Sequence, residues 1–192
     1  MHIVTRRPRL AMLLFGLACA LPYPAPGSAQ TRDSELRTEY RDSLTALPEP
    51  RSLNARGTVY VPVYSRVRDT ANKAPVDVTA TLRIDNASDS KPIVIGRIDY
   101  FSTSGKLLQR YLDTPIALRP LGAVQISIQA DDRRGGAAAN FIVSWAGSGP
   151  IAEPVIEAVM VGTTGNSSYS FVSQGRAIKT IGKSRWFDFK TN

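Results

Sequence analysis

Between residues 56 and 181 the apolar side chains recur at every second position, in short runs separated by glycine, proline and polar turns. Residues 76–86 show the pattern best. Val76, Val78, Ala80, Leu82 and Ile84 fall on one side, and Asp77, Thr79, Thr81, Arg83 and Asp85 on the other. A period of two belongs to a half-buried strand, because successive side chains leave an extended backbone on opposite faces. Residues 58–65, 93–101, 106–112, 116–118, 123–129, 140–145, 156–162, 169–172 and 176–181 carry related runs. Pro62 removes a ladder donor, which predicts an edge or a bulge in the first of these. Residues 102–105 (Ser-Thr-Ser-Gly) predict a hairpin loop with Gly105 in the left-handed position. The run at 156–162 (IEAVMVG) is nearly continuous and predicts a central strand covered on both sides. Many short strands with no helical period between them predict an all-β fold, an antiparallel β-sandwich of the immunoglobulin or fibronectin kind. A β-barrel is the alternative.

Ahead of this block, residues 31–47 place Leu36, Tyr40, Leu44 and Leu47 on one helical face. Asp33 or Ser34 can cap the start and Pro48 ends it, so the spacing predicts a short amphipathic helix that needs a surface to pack on. Leu-Pro-Glu-Pro at 47–50 follows as a stiff linker. The predicted organisation is a helical arm and linker at 30–55, a sandwich at 56–181 and a basic aromatic tail at 182–192. Trp186, Phe187 and Phe189 in that tail are suited either to a partner surface or to closing the sandwich.

Residues 1–29 have the three parts of a signal peptide. Arg6, Arg7 and Arg9 precede an apolar run from Leu10 to Leu21, and a turn-prone segment ends in Gly27-Ser28-Ala29. The apolar run is shorter than the roughly 20 residues needed to span a bilayer, and Pro22, Pro24 and Pro26 stop its continuation. Export to the periplasm or beyond is the expectation, with no membrane span after cleavage. Cys19 is a candidate for lipid attachment, but Gly16 stands where a lipoprotein signal has leucine, so soluble release is expected instead.

Cleavage also removes His2 and Cys19, the only histidine and the only cysteine of the chain. A mature chain lacking both excludes disulfides, Cys- or His-ligated metals, Cys-His dyads and Ser-His-Asp triads. No cofactor or metal is expected. The full chain carries 24 Lys+Arg against 16 Asp+Glu, a net charge of +8, and it stays basic without the leader arginines. No basic run longer than Arg133-Arg134 remains after the leader, so nucleic acid is not an expected partner. Contact with an anionic envelope surface is compatible with this charge.

Asp131, Asp132, Arg133 and Arg134, followed by two glycines, form the most unusual loop. Such a loop can present a ligand site, but its composition is also what a solvated hairpin needs, and the Asp pair lacks the spacing of a calcium loop. Residues 162–168 (GTTGNSS) read as a polar turn, without the Gly-Lys-Ser/Thr ending of a phosphate loop. Asn86-Ala87-Ser88 and Asn166-Ser167-Ser168 match the glycosylation sequon, which carries little weight behind a bacterial-type leader. Most aromatic residues alternate with polar ones and are expected in the core. No pair of acids stands out as catalytic.

Several segments taken together resemble a known family. They are residues 57–65 (GTVYVPVYS), 98–101 (IDYF), 105–107 (GKL), 111–113 (YLD), Gly135-Gly136, 140–145 (NFIVSW), 157–162 (EAVMVG) and 171–176 (FVSQGR). Over about residues 56–178 the chain resembles the bacterial exported family known as domain of unknown function 3124. The resemblance implies an extracytoplasmic protein, sometimes a lipoprotein, and supplies no activity. Within its segments, Tyr60, Tyr64, Asn140, Trp145, Glu157 and Arg176 are the polar and aromatic candidates for binding. The expectation is a non-enzymatic binding or structural module of the cell envelope, with an envelope protein or a glycan as partner. The alternative is a carbohydrate-binding or carbohydrate-active protein using exposed aromatics and carboxylates.

Overall fold

The computed structural model describes residues 28–68 and 75–181. The expected leader lies outside them, with Cys19, apart from Ser28 and Ala29, which open helix α1; the aromatic tail also lies outside. In chain order the elements are α1 (Ser28–Glu39), β1 (Leu44–Thr45), β2 (Leu53–Tyr64), β3 (Arg66–Arg68), β4 (Pro75–Asp77), β5 (Thr79–Asp85) and β6 (Ile93–Phe101). There follow β7 (Leu107–Arg110), β8 (Ile116–Leu118), β9 (Ala123–Ile128), β10 (Ala138–Ser148), β11 (Val155–Thr164), β12 (Ser167–Gln174) and β13 (Arg176–Ile181). A seven-stranded sheet runs β1-β8-β6-β10-β2-β13, with β7 also on β6, and a four-stranded sheet runs β12-β11-β5-β9. Every pairing is antiparallel.

The two sheets face each other over one apolar core. Val59, Val61 and Val63 of β2, Ile98 and Tyr100 of β6, and Phe141, Val143 and Trp145 of β10 line one inner face. Val78 and then Ala80, Leu82 and Ile84 of β5, Val124, Ile126 and Ile128 of β9, and Ile156, Ala158 and Met160 of β11 line the other. Alternation puts them there: every second residue of each strand is removed from water, and each such aliphatic or aromatic side chain contributes about 1.5–3 kcal/mol. Two glycines make the packing feasible. A Cβ on Gly57 would lie 2.6 Å from Trp145 Nε1, so the indole occupies space that a side chain would need. Gly175 carries the chain from one sheet to the other, and a Cβ there would lie 2.5 Å from the carbonyl oxygen of Ile156. Gly105, with φ of +78°, turns the β6–β7 hairpin.

Three expectations are corrected or narrowed by the structure. The helix runs from Ser28 to Glu39, so Asp33 and Ser34 lie inside it and do not cap its start, and it ends well before residue 47, where a 3-10 turn at Arg41–Ser43 leads into β1. Leu44 then pairs with Leu118 of β8, while Leu47 is 54% exposed. The free edge of β8 supplies backbone partners that another helical turn in solvent cannot match. The helix packs through buried Leu36, and Arg37 Nη2 donates to Thr114 O and Oγ1 at 2.8 and 2.7 Å. Second, β2 is interior only where β13 flanks it, and Pro62 itself lies on the open edge that the sequence predicts. β10 pairs it throughout, and β13 pairs it from Arg56 to Tyr60. Pro62 falls just past the last β13 partner, where its missing N–H costs no pairing on that flank. Third, β11 is central in its sheet but covered on one face only. Val155 and Val161 on its outer face are 48% and 49% exposed.

A basic outer face as candidate functional site

The outer face of the seven-stranded sheet is built by the residues that alternate with the core positions. Register lays them in rows. Arg176, Tyr60, Ile142, Asp99 and Arg110 form one row across β13, β2, β10, β6 and β7. Lys179, Thr58, Ser144 and Arg97 form the next. Pro62, Asn140 and Phe101 form a third. Among the described residues of these strands, Arg56, Arg97, Arg110, Arg176 and Lys179 are the cations outside the core, and Asp99 is the lone acid.

Asp99 is fully buried on this face. Its Oδ2 accepts the Nε–H of Arg97 at 2.6 Å, and Arg110 Nε lies 3.4 Å from Oδ1. The two arginine side chains remain 45% and 56% exposed. The Arg97 guanidinium also lies 5.8 Å from the centre of the Phe101 ring, in cation–π range. Beside Arg97 a groove of about 480 Å³ opens between the 3-10 turn at Pro50–Ser52 and the sheet. Val94, Ala146 and Leu53 give it an apolar floor, and Arg56 and Lys179 stand at its rim.

The structure brings Tyr60, Asn140 and Arg176 onto this one face. Tyr64 stands at the end of β2 and leans on Phe171 of β12, with ring centroids 6.0 Å apart. Trp145 points inward over Gly57 and is 5% exposed, but it lines the groove beside Arg97 together with Gly57. Glu157 lies on the other sheet, paired with Arg83 and Gln174. Sequence alone does not single out Arg56, Arg97, Asp99, Arg110 and Lys179. Only the same-side spacing of Arg97, Asp99 and Phe101 in one strand hints at them, and a solvated strand face looks the same.

The Asp131–Arg134 loop settles its charges locally. Asp132 takes hydrogen bonds from the Arg134 side chain at 2.9 and 2.7 Å and from its backbone N–H at 3.1 Å. The side-chain bond, foremost, holds the Asp132 carboxyl below its ordinary value. Arg133 reaches Asp77, whose carboxyl is also held low, chiefly by its hydrogen bond from Arg66 at 2.8 Å. Asp131 lines a second groove of about 410 Å³ between α1 and β9, where Glu35 and Glu39 stand on the helical wall. Asn86 of the first sequon is 1% exposed and is engaged by its amide, so it is not an acceptor in the folded chain. No helix among the described residues is long and apolar enough to cross a membrane.

Fold and face together define an antiparallel β protein of two main sheets, with a small β3–β4 ribbon and a basic outer face on the larger sheet. Residues 56–178 match the model of the family described as protein of unknown function (DUF3124), and the chain belongs to that family. The match begins inside β2 and ends inside β13, so it spans both sheets but not α1 and β1. The crystal structure of Thermotoga maritima 1070 is similar at 11% identity, over 62% of this chain and 92% of that one, with a TM-score of 0.38. No curated protein matches the sequence.

Proposed function

We propose that the protein is an exported, non-enzymatic binding module of the bacterial cell envelope that holds an anionic protein or glycan on the outer face of its seven-stranded sheet. One observation carries this reading: Arg56, Arg97, Arg110, Arg176 and Lys179 share a sheet face with Asp99 as its only acid among the described residues. Clustered charge of one sign raises the local concentration of oppositely charged partners and speeds their capture. The signal-peptide pattern of residues 1–29 supports export, and a mature chain free of His and Cys supports the absence of catalysis. The test is retention on immobilised heparin and cosedimentation with isolated peptidoglycan sacculi over a salt series. Arg56→Gln/Arg176→Gln/Lys179→Gln should leave at lower salt than the parent. Coincident elution and sedimentation of the two proteins would refute the reading.

A second reading draws on the groove between α1 and β9, where Glu35 and Glu39 stand on one wall and Asp131 and Asp132 on the other. Two facing carboxylates are the minimum for glycoside hydrolysis. Asp132, held low by Arg134, is unsuited to the acid role, which requires a raised pKa. A glycan hydrolysis screen in which Glu39→Gln abolishes turnover would favour this reading over binding alone, and no turnover by the parent would dismiss it.

A further inference from the structure

Asp99 is the anomaly of the basic face. Its neighbours there are partly exposed, yet it is fully buried, and its Oδ1 accepts no hydrogen bond. A buried acceptor left without a donor is costly, so its retention calls for a reason. Both flanking arginines meet this carboxylate through Nε, Arg97 at 2.6 Å and Arg110 at 3.4 Å. Neither guanidinium donates a hydrogen bond from its Nη atoms to any described residue. One carboxylate therefore sets the direction of two guanidiniums while their Nη–H groups have no hydrogen-bond partner among the described residues. The Phe101 ring lies within 5.8 Å of the Arg97 guanidinium, and β6 and β7 are joined at the Asp99–Arg110 pair. These contacts place the two guanidiniums on the two oxygens of one carboxylate, Arg97 at Oδ2 and Arg110 at Oδ1.

Paired forks of this kind favour one class of anion. A single guanidinium satisfies a planar carboxylate with two parallel N–H bonds, so the second would add little. A phosphoryl group carries its oxygens in a tetrahedron and accepts from two sides. We propose that Arg97 and Arg110, positioned by Asp99, form a binding site for a phosphoryl group. Asp99 is a positioning residue and does not touch the ligand. The proposal rests on the reading of this face as anion-binding and names the chemistry of that anion.

Asp99→Asn separates the site from a diffuse basic surface, because it raises the positive charge of the face while removing the group that orders it. A diffuse surface then binds anions more tightly; an ordered pair binds them more weakly. Titration of inorganic phosphate, followed on the arginine Nε–H resonances, should give saturable shifts at Arg97 and Arg110. Binding should weaken about tenfold in Asp99→Asn, the loss expected for one charge-assisted hydrogen bond. Arg97→Lys keeps the charge, removes the fork at a half-exposed position and should weaken binding by a similar factor. It decides the matter alone if Asp99→Asn does not fold. Equal or tighter phosphate binding in a folded variant overturns the proposal, as does acetate binding as well as phosphate. Phosphate failing while heparin retention persists overturns this site alone; failure of both overturns the anion-binding face. Glycerol phosphate and lysophosphatidylglycerol identify the source. Equal affinity points to a soluble or polymeric phosphoester, and tighter lysolipid binding points to a headgroup, each with the same dependence on Asp99.

Discussion

Asn86 offers a severe test of how this sandwich is held. Its side chain is 1% exposed, and its two Nδ2–H groups are shared among the carbonyls of Lys91, Leu118 and Arg119 at 2.8, 3.2 and 2.8 Å. Its Oδ1 accepts the N–H of Ser88 at 3.0 Å. One amide thereby fastens the loop after β5 to the end of β8 and to the turn before β9. Asn86→Ala removes every one of these bonds. The Leu118 carbonyl and the Ser88 N–H belong to bonds that are buried, so each orphan costs about 1–3 kcal/mol. The Lys91 and Arg119 bonds are only part-buried and their carbonyls can reach water, at about 0.5–1.5 kcal/mol each. Because these losses share one site and are not additive, the net expectation lies toward the low end, about 4 kcal/mol. For a chain of this size each kcal/mol lowers Tm by about 2–4 °C, so the variant should melt about 10–15 °C below the parent. Circular-dichroism melting and a urea titration with unchanged m-value would measure it. A loss under about 1 kcal/mol would refute the account, since it would mean that water satisfies all the carbonyls at no cost. Asn86→Asp keeps the shape but turns a carboxylate toward carbonyl oxygens. It should be at least as unstable at neutral pH and recover partly in acid, where the group is protonated.

Other outcomes follow from the same geometry. Gly57→Ala places a Cβ 2.6 Å from Trp145 Nε1 and should cost about 1–3 kcal/mol, with a changed indole fluorescence; Trp145→Phe in that background should recover part of it. Burial, foremost, pushes the Tyr100 phenol up from 10.0 to about 12. Its contribution to stability is therefore complete below the unfolded value and is lost as pH rises through this interval. Melting points across that alkaline range should fall less steeply for Tyr100→Phe than for the parent, and equal slopes would contradict the assignment. Met160→Ala, at a fully buried position, should cost about 2–5 kcal/mol, whereas Val161→Thr next to it should change stability by less than about 0.5 kcal/mol. A large loss at Val161, read by urea unfolding, would mean that β11 is covered on both faces after all.

Local repetition makes much of this protein legible in its sequence. The alternation at Val76, Val78, Ala80, Leu82 and Ile84 named five core residues, because period and burial are two views of one extended backbone. The 93–101 strand, the Gly105 turn and the family were readable for the same reason, each being a property of consecutive residues. What consecutive residues do not carry is register between distant strands. Arg176 meets Tyr60, and Asp99 meets both Ile142 and Arg110, only because pairing across the sheet puts them in one row. The same pairing sent Glu157 to the opposite sheet and turned Trp145 inward over Gly57. It also drew Leu44 out of a plausible helical face and onto β8. Sequence determined that this chain forms short strands around a core without histidine or cysteine in its β domain. Tertiary structure alone decided which outward side chains become neighbours, because a sheet face is assembled from every strand at once and its charge is a sum no single strand contains.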